Sequence, residues 1–100
     1  MTEQDVYIDC AAAHQKANAL RGEANDVRSI AQGIQGQLGS LASCWKGGSS
    51  ALFVQSGTSR ITKLHQAANR LDELANAIDQ TANAYQKRQI EAIRAAKNSS

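Results

Sequence analysis

Two cysteines and two histidines are the side chains of this sequence best suited to metal or nucleophile chemistry. Cys10 and His14 stand four apart, so a helix would present them on neighbouring turns as two metal ligands. No second pair at ligand spacing completes the set. The serines crowd into the middle of the chain and its last residues, with no His–Asp pair placed to activate one. No glycine run ends in the Lys-Ser/Thr of a phosphate loop. Neither an enzyme nor a cofactor or metal site is expected, and the search turns to the elements that would hold these residues.

The apolar spacing is regular. Cys10, Ala13, Ala17, Leu20, Ala24, Val27, Ala31, Ile34, Leu38, Leu41 and Trp45 follow one another in alternating steps of three and four. That is a heptad seam. A second seam runs Val54, Gly57, Ile61, Leu64, Ala68, Leu71, Ala75, Ile78, Ala82, Tyr85, Gln89 and Ala92, with Gly57 and Gln89 as its imperfect positions. Ile30 widens the first stripe, and Phe53 and Leu74 widen the second. Leu20, Val27, Ile34, Leu38, Leu41, Phe53, Ile61, Leu64, Leu71 and Ile78 are the expected helix-seam interface. Within it Leu20, Val27, Ile34, Leu41, Ile61, Leu64, Leu71 and Ile78 should be buried.

Between the seams lies Cys44-Trp45-Lys46-Gly47-Gly48-Ser49-Ser50. Gly47 or Gly48 suits the left-handed residue that ends a helix, and Ser49 or Ser50 suits the N-cap of the next. So short a link forces an antiparallel turn. The fold class is all-α: a single helical-hairpin domain over 1–100. Helix one should run over about 5–43, the turn over 45–48, helix two over about 49–94, and a frayed tail over 95–100. In that hairpin position 14 faces about position 80 and position 65 faces about position 29, so His14 and His65 stay apart. Cys10 and Cys44, near opposite ends of one helix, lie roughly 50 Å apart and cannot pair within the chain.

Charge fits the same arrangement. Glu3, Asp5 and Asp9 open helix one, while Lys87, Arg88, Arg94 and Lys97 close helix two. Each set has the sign its helix dipole favours, and the hairpin makes the two sets neighbours. Gly22, Gly33, Gly36 and Gly39 fall on the outer face of helix one. They read either as a tolerant surface or as a smooth track for another helix.

Composition narrows the function. A net charge of +2 and four aromatic residues argue against nucleic-acid binding, which needs a basic stripe or stacking platforms. No apolar run approaches the roughly 20 residues of a membrane span, so stable membrane insertion is not expected. The acidic start, Met1-Thr2-Glu3-Gln4-Asp5, is unlike a cleavable secretory signal peptide. A lone hairpin leaves its seam open to water on two sides, so a second hairpin is expected to cover it.

A Trp45-x-Gly47 bend at the midpoint of a proline-free helical hairpin, followed by Ser49 and Phe53, resembles the Trp-x-Gly (ESAT-like) family of small type VII (ESX-type) secretion proteins. The resemblance covers the whole chain. It implies two hairpins packed antiparallel as an elongated four-helix bundle, either a homodimer or a heterodimer with a related hairpin or a toxin's N-terminal domain. It implies secretion from the bacterial cytoplasm, without a cleavable signal peptide, as a folded helical dimer driven by a secretion ATPase. It also implies a two-part export signal: Trp45 and Gly47 at the turn, and a Tyr-x-x-x-Asp/Glu motif on the C-terminal arm. Here that motif is degenerate, because Tyr85 is followed by Gln89 where the carboxylate should stand. The alternative role is a partner or targeting chaperone that pairs with the helical N-terminal domain of a larger type VII toxin.

Overall fold

In the computed structural model, which describes residues 1–45 and 47–99, the chain forms two helices, α1 (Glu3–Cys44) and α2 (Gly48–Asn98). Lys46 of the expected turn and Ser100 of the expected tail lie outside the described residues. Both helices exceed the ranges read from the sequence. α1 starts earlier because Thr2 and Asp5 cap it reciprocally. The backbone N–H of Asp5 donates to the Thr2 hydroxyl at 3.1 Å, and the backbone N–H of Thr2 donates to the Asp5 carboxylate at 2.9 Å. Those bonds hold the Asp5 carboxyl below its ordinary value. α2 continues to Asn98 because no glycine or proline interrupts its last turns.

The bend rests on Gly47, whose φ of +133° only glycine adopts cheaply. The Trp45 N–H still donates to the Leu41 carbonyl at 2.8 Å, so α1 keeps its hydrogen bonding up to the bend. The expected serine cap is not formed. Ser50 lies inside α2, and its hydroxyl donates to the Gly47 carbonyl at 2.8 Å. The same carbonyl accepts the Ala51 N–H at 3.4 Å, so Gly47 takes the cap position, a role glycine fills well.

The two helices fold into two compact units, each containing a stretch of both. The terminal unit comprises Met1–Arg21 and Asp72–Ser100, and the bend unit comprises Gly22–Leu71. In each, the strands of helix run antiparallel and meet through small residues. Cys10, Ala17, Ala75 and Ala82 are buried in the terminal unit, and Ala24, Ala31 and Ala68 in the bend unit. Val6, Cys10 and Ile90 form a buried cluster in the terminal unit, with Tyr85 and Ile93 packed on it.

This layering corrects the expected core. Ile61 is buried, but Leu20, Val27, Ile34, Leu41, Leu64, Leu71 and Ile78 are only half-buried. Alanine at the middle seam positions, Ala17, Ala24 and Ala31 on α1 and Ala68, Ala75 and Ala82 on α2, lets the backbones approach closely. The larger side chains then sit beside the contact rather than inside it. Gly57 is not an imperfection of the seam. A Cβ there would stand 2.5 Å from Leu38 Cδ1, so the missing side chain is what seats Leu38. At the C-terminal end of α2 the seam drifts: Ile90 is buried and Ile93 half-buried, while Ala92 is exposed. A strict heptad slips against a straight helix by about 20° per repeat, and the buried stripe follows the helix.

Candidate interaction surface

The seam has two unlike flanks. One is reached from the small buried residues by stepping four residues on: Cys10 to His14, Ala17 to Arg21, Ala24 to Arg28, Ala75 to Asp79. In the terminal unit it is stapled by polar groups. His14 Nδ1 lies 2.5 Å from Asp79 Oδ1, Arg21 donates to the other Asp79 oxygen, and Arg21 also donates to Asn76 at 2.9 Å. His14 first, and Arg21 after it, hold the Asp79 carboxyl below its ordinary range. In the bend unit Arg28 repeats the motif one heptad on, donating to Asn69 at 3.0 Å and to Asn25 at 3.2 Å. At the chain ends Arg94 Nε donates to Glu3 at 2.8 Å, lowering the acid's pKa and raising the base's.

The hairpin register puts His14 opposite about position 80, and its partner in the structure is the neighbouring Asp79. The network's signal was available: His14, Arg21 and Arg28 recur every seven residues, as do Asn18 and Asn25, and Asn69 and Asn76. The network also answers the question of Cys10 and His14. The Cys10 thiol donates to the Ala82 carbonyl at 3.4 Å, and the imidazole is engaged by Asp79. Both cysteines are free thiols, Cys10 buried and Cys44 exposed. Among the described residues no three His, Cys, Asp or Glu side chains are placed to hold a metal.

The other flank is apolar. It is reached from the half-buried seam residues by stepping four residues back: Ile34 to Ile30, Gly57 to Phe53, Ile78 to Leu74. Ile30, Phe53 and Leu74 are all exposed. In the bend unit they join half-buried Val27, Ile34, Leu41, Leu64 and Leu71, and in the terminal unit Leu20 and Ile78. There a groove of about 370 Å³, lined by Ala13, Leu74, Ala77, Ile78 and Tyr85 among others, is bordered almost wholly by carbon. Such a surface covers itself with another apolar surface when one is offered.

The motif residues divide between the units. Trp45 and Gly47 are in the bend unit, where Trp45 tilts against Phe53 with ring centroids 5.6 Å apart and planes at 54°. That contact closes no core, since Trp45 remains 42 % and Phe53 48 % exposed. Tyr85 and Gln89 are in the terminal unit, both half-buried on successive turns of α2.

Fold and surface together define an all-α helical hairpin with exposed apolar side chains beside the seam in each unit. The chain belongs to the WXG100 family, "proteins of 100 residues with WXG", whose model matches residues 6–89. Proteins of this family are small, non-enzymatic and secreted through type VII systems, and typically form dimers. Comparisons with curated proteins and with solved structures gave no significant match. No helix among the described residues is long and apolar enough to cross a membrane.

Proposed function

We propose that this protein leaves the bacterial cytoplasm through a type VII machine as a folded dimer, its apolar flank covered by a second hairpin in a four-helix bundle. The observation that carries this reading is the unequal seam. Its alanines are spent on closing the hairpin, while its leucines and isoleucines remain half-exposed beside Ile30, Phe53 and Leu74. Burying such residues yields roughly 25 cal/mol per Å² of apolar surface, which rewards a partner along the whole flank. Trp45 and Gly47 serve as the turn half of the export signal and Tyr85 as the C-terminal half, read by the secretion ATPase.

A second role is favoured by one feature. Gln89 has the shape of the family's glutamate without its charge. A partner that contributes the carboxylate would make this chain a targeting subunit for the helical N-terminal domain of a larger toxin. Secretion assays in the producing bacterium separate the two roles. Trp45→Ala and Tyr85→Ala should leave helical content intact and lower extracellular protein. Gln89→Glu should raise export of the chain without a partner only if a partner normally supplies the charge. Unchanged extracellular levels for all three variants would overturn the signal assignment. Light scattering on the purified chain tests the dimer: a stable dimer supports self-pairing, and a monomer in isolation supports the targeting role.

A further inference from the structure

The polar flank changes character within the bend unit. Its later members there are Gln35 and Ala42 on α1 and Thr58 and His65 on α2. Each stands four residues on from a seam residue: Ala31, Leu38, Val54 and Ile61. Gln35 lies two heptads after Arg21, and His65 two heptads before Asp79, the pair that staples the terminal unit. The bend unit has no such staple here. Among the described residues neither Gln35 nor His65 has a hydrogen-bond or ion-pair partner. From these two side chains toward the bend, the flank opens into a groove of about 420 Å³ within the bend unit. Leu38, Val54 and Ile61 form its floor. Both threonines on its wall have their hydroxyl protons engaged, Thr58 donating to the Val54 carbonyl at 2.9 Å and Thr62 to the Thr58 carbonyl at 3.1 Å. The groove is therefore apolar along its length, with two unpaired polar side chains at the end away from the bend.

We infer that this groove binds a free medium-chain fatty acid, its carboxylate at Gln35 and His65 and its alkyl chain along Leu38, Val54 and Ile61. Size and shape select a small, linear occupant. A volume of about 420 Å³ is that of a small-molecule site. On α2 the lining runs from Val54 to His65, about 16 Å of helix. An α-helix, about 10 Å across with its side chains, rests on such a groove without entering it. Charge selects an acid. The bend unit has five Lys and Arg residues and only two carboxylates, Glu23 and Asp26. Glu23 stands seven and Asp26 four residues before Ile30, so both border the apolar flank on the other side of the seam. The other seven, Glu3, Asp5, Asp9, Asp72, Glu73, Asp79 and Glu91, belong to the terminal unit. No carboxylate lines the groove, and the imidazole and carboxamide N–H groups at its end can both donate to one. A second hairpin on the apolar flank leaves the groove open, because the two lie on opposite sides of the seam. The inference therefore stands apart from the pairing and export reading.

The test titrates the full chain with sodium dodecanoate, kept below the concentration at which it forms micelles, by calorimetry. Saturable binding of one dodecanoate per chain is expected, with backbone NMR shifts at residues 35–42 and 54–65 and none at Ile30 or Leu74. Dodecanoate should bind about tenfold more tightly than dodecyltrimethylammonium, which has the same chain and the opposite charge. Gln35→Ala with His65→Ala should abolish that preference. Ala42→Phe fills the groove from an exposed position and should weaken dodecanoate binding about tenfold while the circular dichroism spectrum is unchanged. No saturable binding, equal binding of the two amphiphiles, binding unaffected by Ala42→Phe, or shifts that map to the apolar flank would each overturn the inference. So would tighter binding to phosphatidylglycerol vesicles than to dodecanoate. Loss of dodecanoate binding at chain concentrations where light scattering shows a dimer would give the groove to a second copy and overturn it as well.

Discussion

The terminal unit and the bend unit are built from the same two helices and the same heptad pattern, yet they are held together differently. The terminal unit has its cross-helix staples in Glu3–Arg94, His14–Asp79, Arg21–Asp79 and Arg21–Asn76, and it contains the buried Val6–Cys10–Ile90 cluster. The bend unit contains all seven glycines of the chain. At Gly33, Gly36 and Gly39 an added Cβ would meet nothing within 4 Å, so internal packing does not require them. Each glycine in a helix costs about 1 kcal/mol relative to alanine. Stability within one fold is not uniform, and the stretch with fewer staples and more glycine opens first. The difference assigns firmness to the chain ends and compliance to the half that contains the Trp-x-Gly bend.

The largest effect is expected where the alanine layer closes the terminal unit. Ala75→Leu places a large side chain where the helices touch and should cost about 3 kcal/mol, at the upper end for overpacking. Chemical denaturation measures it. A loss under about 0.5 kcal/mol would break the claim that alanine sets the interhelical distance.

A smaller effect, of opposite sign, is expected in the bend unit. Replacing Gly33, Gly36 and Gly39 together by Ala should stabilise the chain by about 2.5 kcal/mol in all. Hydrogen exchange sharpens the comparison. Amides of residues 33–44 should exchange faster than those of residues 6–17 in the natural protein, and the triple variant should narrow the gap. Equal protection of the two stretches before substitution would remove the contrast.

The smallest effect concerns Asp79, and it depends on pH. Its carboxyl is depressed in the folded state by His14 and Arg21. The resulting stabilisation is present above the unfolded carboxylate value of about 3.9 and is lost as pH falls through the lower folded value. Asp79→Asn should therefore melt below the natural protein at pH 6, and the two melting temperatures should converge as pH falls through the depressed value of the folded carboxyl. A difference that persists undiminished at the acid end would assign the role of Asp79 to shape rather than charge.

Much of this molecule is legible without coordinates because a helix turns a linear pattern into a face. Two unbroken three-four alternations on either side of Trp45-Lys46-Gly47 dictate two helices and a reversal, and Gly47 is the residue whose backbone makes that reversal. What periodicity does not contain is the distance between the faces. That distance follows from the smallest side chains at the contact, and it decided that Ala17, Ala24, Ala31, Ala68 and Ala75 are buried while Leu20, Val27, Leu64 and Leu71 remain half-open. The staples follow from the same closeness, since only close packing brings His14 and Arg21 onto Asp79. The end of the second seam also needed the structure. Ile90 and Ile93 replace Ala92 there because a real helix turns every 3.6 residues, and a heptad count assumes 3.5.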